Sequence, residues 1–154
     1  MFQYYKIEVD DQKFRNEIGE FGKKMPQVAR RMMGKLSTEI RKTSRKDYLK
    51  GGSLNKQSGN LSKKISYKTK PDYTAIIIAS AGYASTHEKG KTISPKKGTY
   101  LTFKLGDQWI KIKSVTVPAR PFLKPVIDDY FTTGKAEQIM DLILQQQLAK
   151  FFSK

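Results

Sequence analysis

The chain has 154 residues and a mass of 17.6 kDa, a length that suits one domain with one main core and leaves no room for two full-sized ones. Lys and Arg number 30 against 14 Asp and Glu, a formal charge of +16, so the protein should attract polyanions or acidic surfaces and repel copies of itself at long range. Cysteine is absent, which removes disulfides, thiolate nucleophiles and cysteine-held zinc or iron–sulfur centres together.

Ile, Leu, Val and Phe together contribute 36 residues, enough for a folded core with little apolar material to spare. Residues 1–6 show no basic leader followed by an apolar stretch. The longest apolar run, Ala75 to Ala79, is far short of the ~20 residues a membrane span requires. The expectation is a protein made in the cytoplasm, with no membrane partner. No internal repeat is present, which disfavours a solenoid.

In chain order, residues 4–9 alternate, with Tyr5, Ile7 and Val9 on one side, and predict a short edge strand. Phe14, Ile18, Phe21, Met25, Val28, Met32, Leu36 and Ile40 then recur every three or four residues, the spacing of one helical face. Pro26 has no amide to donate and disfavours helix at Met25, so a break or kink is expected there, with a second helix running to about Tyr48. Its outer face carries Arg30, Arg31, Lys35, Arg41, Lys42, Arg45 and Lys46, and Gly51-Gly52-Ser53 ends it.

Leu54 to Lys64 is polar and punctuated by Ser58-Gly59-Asn60, which predicts a mobile loop. Two strands, Ile65 to Lys70 and Thr74 to Ser80, flank the turn signal Pro71-Asp72, and the run Ala75-Ile76-Ile77-Ile78-Ala79 suits a central strand buried on both faces. Tyr83 to Gly90 predicts a helical turn. Lys89 to Gly98, with Lys89, Lys91, Lys96 and Lys97, predicts an exposed basic loop.

A hairpin is expected from Tyr100–Leu105 and Trp109–Val117 around Gly106-Asp107-Gln108, with a bulge near Ser114. Pro118-Ala119-Arg120-Pro121 breaks the strand. Phe122, Val126, Ile127, Tyr130 and Phe131 resume helical spacing, and a last amphipathic segment follows Gly134. The whole reads as a single α+β domain over residues 1–154: an antiparallel β-sheet packed by a long, Pro-interrupted N-terminal helix and by C-terminal helices, with long basic loops at 54–64 and 89–98.

Catalytic chemistry finds little footing. His87, beside Glu88, is the single histidine, and a zinc site or a positioned general base needs more partners than it can recruit without cysteine. Asp10-Asp11 and Asp128-Asp129 sit in separate elements and do not form a two-metal carboxylate cluster. No phosphate-binding glycine loop and no nucleophile elbow are present. The expectation is a non-enzyme without cofactors. The basic face and loops offer repeated phosphate contacts, which give affinity without sequence reading.

Three blocks in order resemble one family. Ser58-Gly59-Asn60-Leu61-Ser62-Lys63-Lys64-Ile65 is similar to an "S-G-x-L-x-x-x-I" segment of the neck and tail-completion proteins of tailed bacteriophages, the group that includes head–tail joining and virion morphogenesis proteins. Tyr83 to Gly90 resembles that family's "Y-A-x-x-H-E/Q-x-G", with Thr86 where a hydrophobic residue is common. Val117-Pro118-Ala119-Arg120-Pro121-Phe122-Leu123-Lys124-Pro125 resembles its "(I/V)-P-A-R-P-F-L-x-P".

The resemblance implies a small α+β structural virion subunit that forms a cyclic homo-oligomeric ring between head and tail, and meets other neck proteins such as the connector, stopper and tail terminator. It places the protein in the virion, after assembly in the host cytoplasm. On this expectation Tyr83, His87, Glu88, Pro118, Arg120 and Pro121 are candidates for contacts between subunits or with partners. Pro118 and Pro121 aim the following helix, and Arg120 offers a planar fork of donors. Lys56, Lys63, Lys64, Lys89, Lys91, Lys96 and Lys97 are candidates for contact with genomic DNA in the lumen or with acidic neighbours. The competing expectation is a basic nucleic-acid-binding accessory protein.

Overall fold

A computed structural model describes residues 11–49, 54, 59–71 and 74–153 of the chain, with side chains from Arg15 onward. The strand expected over residues 4–9, Lys56 and the Gly51-Gly52-Ser53 stop lie outside the described residues.

Helix α1 runs uninterrupted from Asp11 to Thr43 and carries Pro26 within it. The expected break is absent, for a physical reason. Pro26 and Gly22, whose carbonyl loses its donor, are both exposed, so water can take the freed acceptor. Phe21 and Val28, on either side of the proline, are both buried, so packing anchors both halves of the helix. The helix then widens into a π-helical turn at Ser44–Tyr48 and closes on buried Leu49.

Four further helices follow: α2 (Asn60–Lys63), α3 (Ala84–Lys89), α4 (Lys124–Thr132) and α5 (Lys135–Phe152). Helix α2 corrects part of the expected loop at 54–64. It is entered through Gly59 at φ +71°, the left-handed conformation in which glycine meets no Cβ penalty. Gly134, at φ +72°, likewise reverses the chain between α4 and α5.

Among the described residues all strand pairing is antiparallel, but the strands form three two-stranded ladders. β1 (Ile65–Thr69) pairs with β2 (Ala75–Ala79), β3 (Lys91–Ile93) with β6 (Val115–Val117), and β4 (Leu101–Leu105) with β5 (Gln108–Ile112). Among the described residues β2 therefore has one neighbouring strand rather than two, and Ile76 is exposed. The basic loop at 89–98 is partly ordered into β3. At Lys113-Ser114 the ladder changes partner, where a bulge was expected.

α1 is the backbone of the packing, with α5, α4 and the β1–β2 ladder laid against it. The core has two connected parts. Leu49, Leu61, Ile65, Ala84 and Phe122 pack at the end of α1, and Leu36, Ile40, Val126, Tyr130 and Ala136 pack between α1 and the C-terminal helices. Tyr48 and Ile77 touch both parts. Phe122 is fully buried, and burying a side chain of that size contributes about 2–3 kcal/mol. At the far end Phe21 meets Phe151 edge to face, centroids 5.4 Å apart.

Candidate functional site

Two of the sequence blocks, Tyr83 to Gly90 and Val117 to Pro125, meet in space, although residues 91–116 lie between them in the chain. Helix α3 ends where the chain enters β3, and the chain leaves β6 straight into the Pro118-Ala119-Arg120-Pro121 connector. The link between the two blocks is Glu88. Its carboxylate accepts hydrogen bonds from the backbone amides of Phe122 (3.0 Å), Leu123 (3.2 Å) and Lys124 (2.8 Å). These amides open α4, where a helix has no partners of its own for its first N–H groups. A carboxylate there also meets the positive end of the helix dipole. Glu88 thus caps α4 from a remote part of the chain, replacing the local side-chain cap that α4 lacks.

A second tie is the Arg120 amide, which donates to the His87 carbonyl at 2.6 Å. A third is steric. Gly90 sits at φ +70° and ψ 160°, a region essentially reserved for glycine, and a Cβ there would lie 2.8 Å from the Ala119 nitrogen. The two strands leaving the junction are held close by this absence of a side chain. From below, the buried Ser44 hydroxyl donates to the Phe122 carbonyl at 2.7 Å, so the π-helical turn ends α1 on the same junction. Ser44 is not distinguishable in the sequence from any other helix serine; only the packing reveals it.

His87 lies beside Tyr83, rings edge to face with centroids 5.6 Å apart, and its Nδ1 is buried without a hydrogen-bond partner among the described residues. The Asn60 side-chain amide reaches the Tyr83 hydroxyl at 3.4 Å, so the first block also approaches the junction through α2. The structure therefore gives Glu88 an internal duty. Pro118 and the Arg120 side chain face solvent, as Tyr83 partly does, while Pro121 is half-buried.

The junction is the root of a β-arm spanning Lys91 to Val117. The β3–β6 ladder forms its base and the β4–β5 hairpin its outer part, closed by Gly106-Asp107 with Gly106 at φ +60°, as tight hairpin turns require. Among the described residues no helix and no other strand packs extensively on β4 or β5. Apolar side chains are nonetheless left open along the arm. Leu105 is 65% and Trp109 71% exposed, and Tyr100, Phe103, Ile93 and Val115 are exposed as well. The arm carries six lysines and one aspartate. Lys91, Lys96 and Lys97 lie exposed on the arm and Lys89 at its root, while Lys63 and Lys64 are exposed around the end of α2.

A separate basic feature lies between α1 and α5. A cleft of about 170 Å³ is lined by Phe21, Lys24, Arg31, Gln147, Lys150 and Phe151 among others. Lys24 Nζ sits 4.5 Å from the centre of the Phe151 ring, and Arg31 donates to the Gln147 side chain at 2.7 Å. On the β1 side, burial and the neighbouring Arg41 push the Arg45 guanidinium below its ordinary value, while Arg45 donates to the Ile65 carbonyl at 2.9 Å.

Among the described residues no group of three or more His, Asp and Glu side chains could hold a metal ion. No helix among them is long and apolar enough to cross a membrane. No family model, curated protein or solved structure matches the chain.

Proposed function

We propose that this protein is a structural assembly subunit of a tailed phage or prophage, forming a ring in the neck or tail-completion complex, without catalytic activity. The observation that carries the reading is the clamped β-arm: a two-stranded projection with open apolar side chains, rigidly rooted by Glu88 and Gly90 to the body. Isolated two-stranded hairpins are marginal in water. Such an arm gains its stability when a partner covers it, which is the economy of an assembly protein. Two of the three blocks resembling those of neck proteins build the root. Neck proteins such as the connector, stopper or tail terminator are the partners this reading predicts, with the virion as the place of function.

The test is made in the strain that encodes the protein. Removing the coding sequence should leave DNA-filled heads and separate tails under the electron microscope, and the protein should be found by mass spectrometry in joined wild-type particles. Normal joined particles from the deletion strain would overturn the reading.

A second reading is favoured by the α1–α5 cleft, which Lys24, Arg31 and Lys150 line together with Phe151, Lys24 lying over its ring. These groups suit a phosphate backbone with a base stacked on Phe151. If the protein is instead a nucleic-acid-binding accessory, the monomer should bind duplex or single-stranded DNA with an affinity that falls steeply between about 50 and 200 mM salt. Lys24→Ala with Lys150→Ala should then reduce the salt slope by about 2.

A further inference from the structure

The exposed apolar side chains of the arm sit among positive charge, and the chain holds a surface of the opposite character. The C-terminal helices carry four carboxylates, Asp128, Asp129, Glu137 and Asp141, against Lys124, Lys135 and Lys150, and Lys124 and Lys135 are paired with Asp128 and Asp129. Glu137 and Asp141 stand one turn apart on α5, exposed and with no ion pair among the described residues. Beside them Leu142 is 52% exposed, and Phe131 on α4 is 53% exposed. These helices thus leave apolar side chains and two carboxylates open on a protein that is otherwise strongly basic.

The outer end of the arm is its complement. In the β4–β5 register Lys104 lies opposite Trp109 and Thr102 opposite Lys111, which puts Trp109 and both lysines on one face of the hairpin. Leu105 ends β4 on the opposite face, and Lys104 also lies 3.7 Å from the Asp107 carboxylate of the turn. We infer that the arm tip of one copy, through Trp109, Lys104 and Lys111, docks on the α4–α5 surface of a second copy, through Phe131, Leu142, Glu137 and Asp141. The inference deepens the ring reading and rests on it for the closure of the contact.

Charge complementarity selects a second copy. A +16 protein repels its own kind at long range, but the Debye length is ~8 Å at physiological ionic strength, so at contact only the local charges count. There, lysines meet carboxylates around apolar groups that both surfaces leave open to water. The two surfaces are different, so each docked copy still presents one free arm and one free helical face. Such heterologous contacts propagate and close into a ring when the rotation allows.

Reciprocal charge reversal in the purified full-length protein tests this. Light scattering at about 0.15 M salt, with carbodiimide crosslinking of lysines to carboxylates, reads the association. Wild type should show masses above 17.6 kDa with rising concentration, and crosslinks between copies joining Lys104 or Lys111 to Glu137 or Asp141. The arm variant K104E/K111E and the helix variant E137K/D141K should each associate at least about tenfold more weakly, since like charges then face each other. Mixing the two, or combining all four changes in one chain, should restore the wild-type mass.

Circular dichroism confirms that each variant is folded, and Trp109→Ala, a surface truncation, gives an independent reading of the apolar half of the contact. A monomeric wild type without these crosslinks would overturn the inference. So would folded single variants that keep the wild-type mass, or a mixture that stays dissociated. Restored association in a protein that is absent from phage particles would retain the interface and remove the virion reading. Loss of joined particles on deletion, with no effect of charge reversal on mass, would do the reverse.

Discussion

Glu88 shows how much one side chain can hold when its acceptors face several orphan donors. Three backbone amides at the start of α4 point at one carboxylate, and bonds to a charged acceptor are worth more than neutral ones. Glu88→Ala should lower the unfolding free energy by about 2–3 kcal/mol, read from urea titration, and Glu88→Gln, which keeps one acceptor oxygen, by less. Equal and negligible losses in both would refute the capping role. Arg120 is the contrasting case in the same junction. Its amide is used internally, while its guanidinium is exposed and free to meet a partner. Arg120→Ala should therefore leave stability within about 0.5 kcal/mol, as for ordinary surface changes, yet reduce incorporation into phage particles. Wild-type incorporation would remove that role.

Among the elements, α1 and the β-arm depart most from local rules. A proline in a helix interior costs about 3 kcal/mol relative to alanine, and here it is carried by an exposed position within a helix whose flanking Phe21 and Val28 are buried. Pro26→Ala restores an amide to the ladder and should raise stability by roughly 1–3 kcal/mol, seen as a higher thermal midpoint and more helical ellipticity. An unchanged or lower midpoint would mean that the two halves of α1 meet at an angle in solution. The arm departs in the opposite direction, with a strong local hairpin pattern but no covering layer among the described residues. Its β4–β5 amides should exchange with solvent far faster than those of β1–β2, and should slow when the protein is concentrated into its associated form. Slow exchange in the dilute monomer would show that the arm needs no partner.

For the whole molecule, charge outweighs every other surface property. Among the described residues the surface ion pairs are local, such as Lys35 and Lys42 on Glu39, Lys124 on Asp128, Lys135 on Asp129, and Lys23 on Glu20. The hydrogen bonds from Lys42 and Lys35 hold the Glu39 carboxyl below its ordinary value. A carboxyl depressed in the folded state contributes stability above the unfolded glutamate value of about 4.3, and loses it as pH falls through the lower folded value. Because Glu39 is partly solvated, that contribution is at most about 1 kcal/mol. The urea midpoint of wild type should exceed that of Glu39→Gln at pH 7, and the gap should close toward pH 3. A gap that persists in acid would assign the effect to packing.

Much of this architecture is legible along the chain because it depends on neighbours in sequence. The 3.6-residue apolar repeat of α1, the turn at Pro71, the hairpin around Gly106-Asp107 and the helical turn before Gly90 all express local sterics and hydrogen bonding, and α+β with antiparallel pairing follows from their order. The tie between the Tyr83–Gly90 and Val117–Pro125 blocks is different. It needs Glu88 to arrive at the first turn of α4, and nothing within either block says that the other will be there. The same holds for the separation of the strands into three ladders, for the exposure of Ile76 in a run that looks fit for a buried strand, and for the bare flanks of the arm. Which surfaces a strand covers is set by elements distant in sequence. Local chemistry thus decided the elements and their charge, while the choice of an internal duty for Glu88, and of an open one for Trp109 and Leu105, belongs to the tertiary structure alone, since burial and exposure are properties of the packed whole.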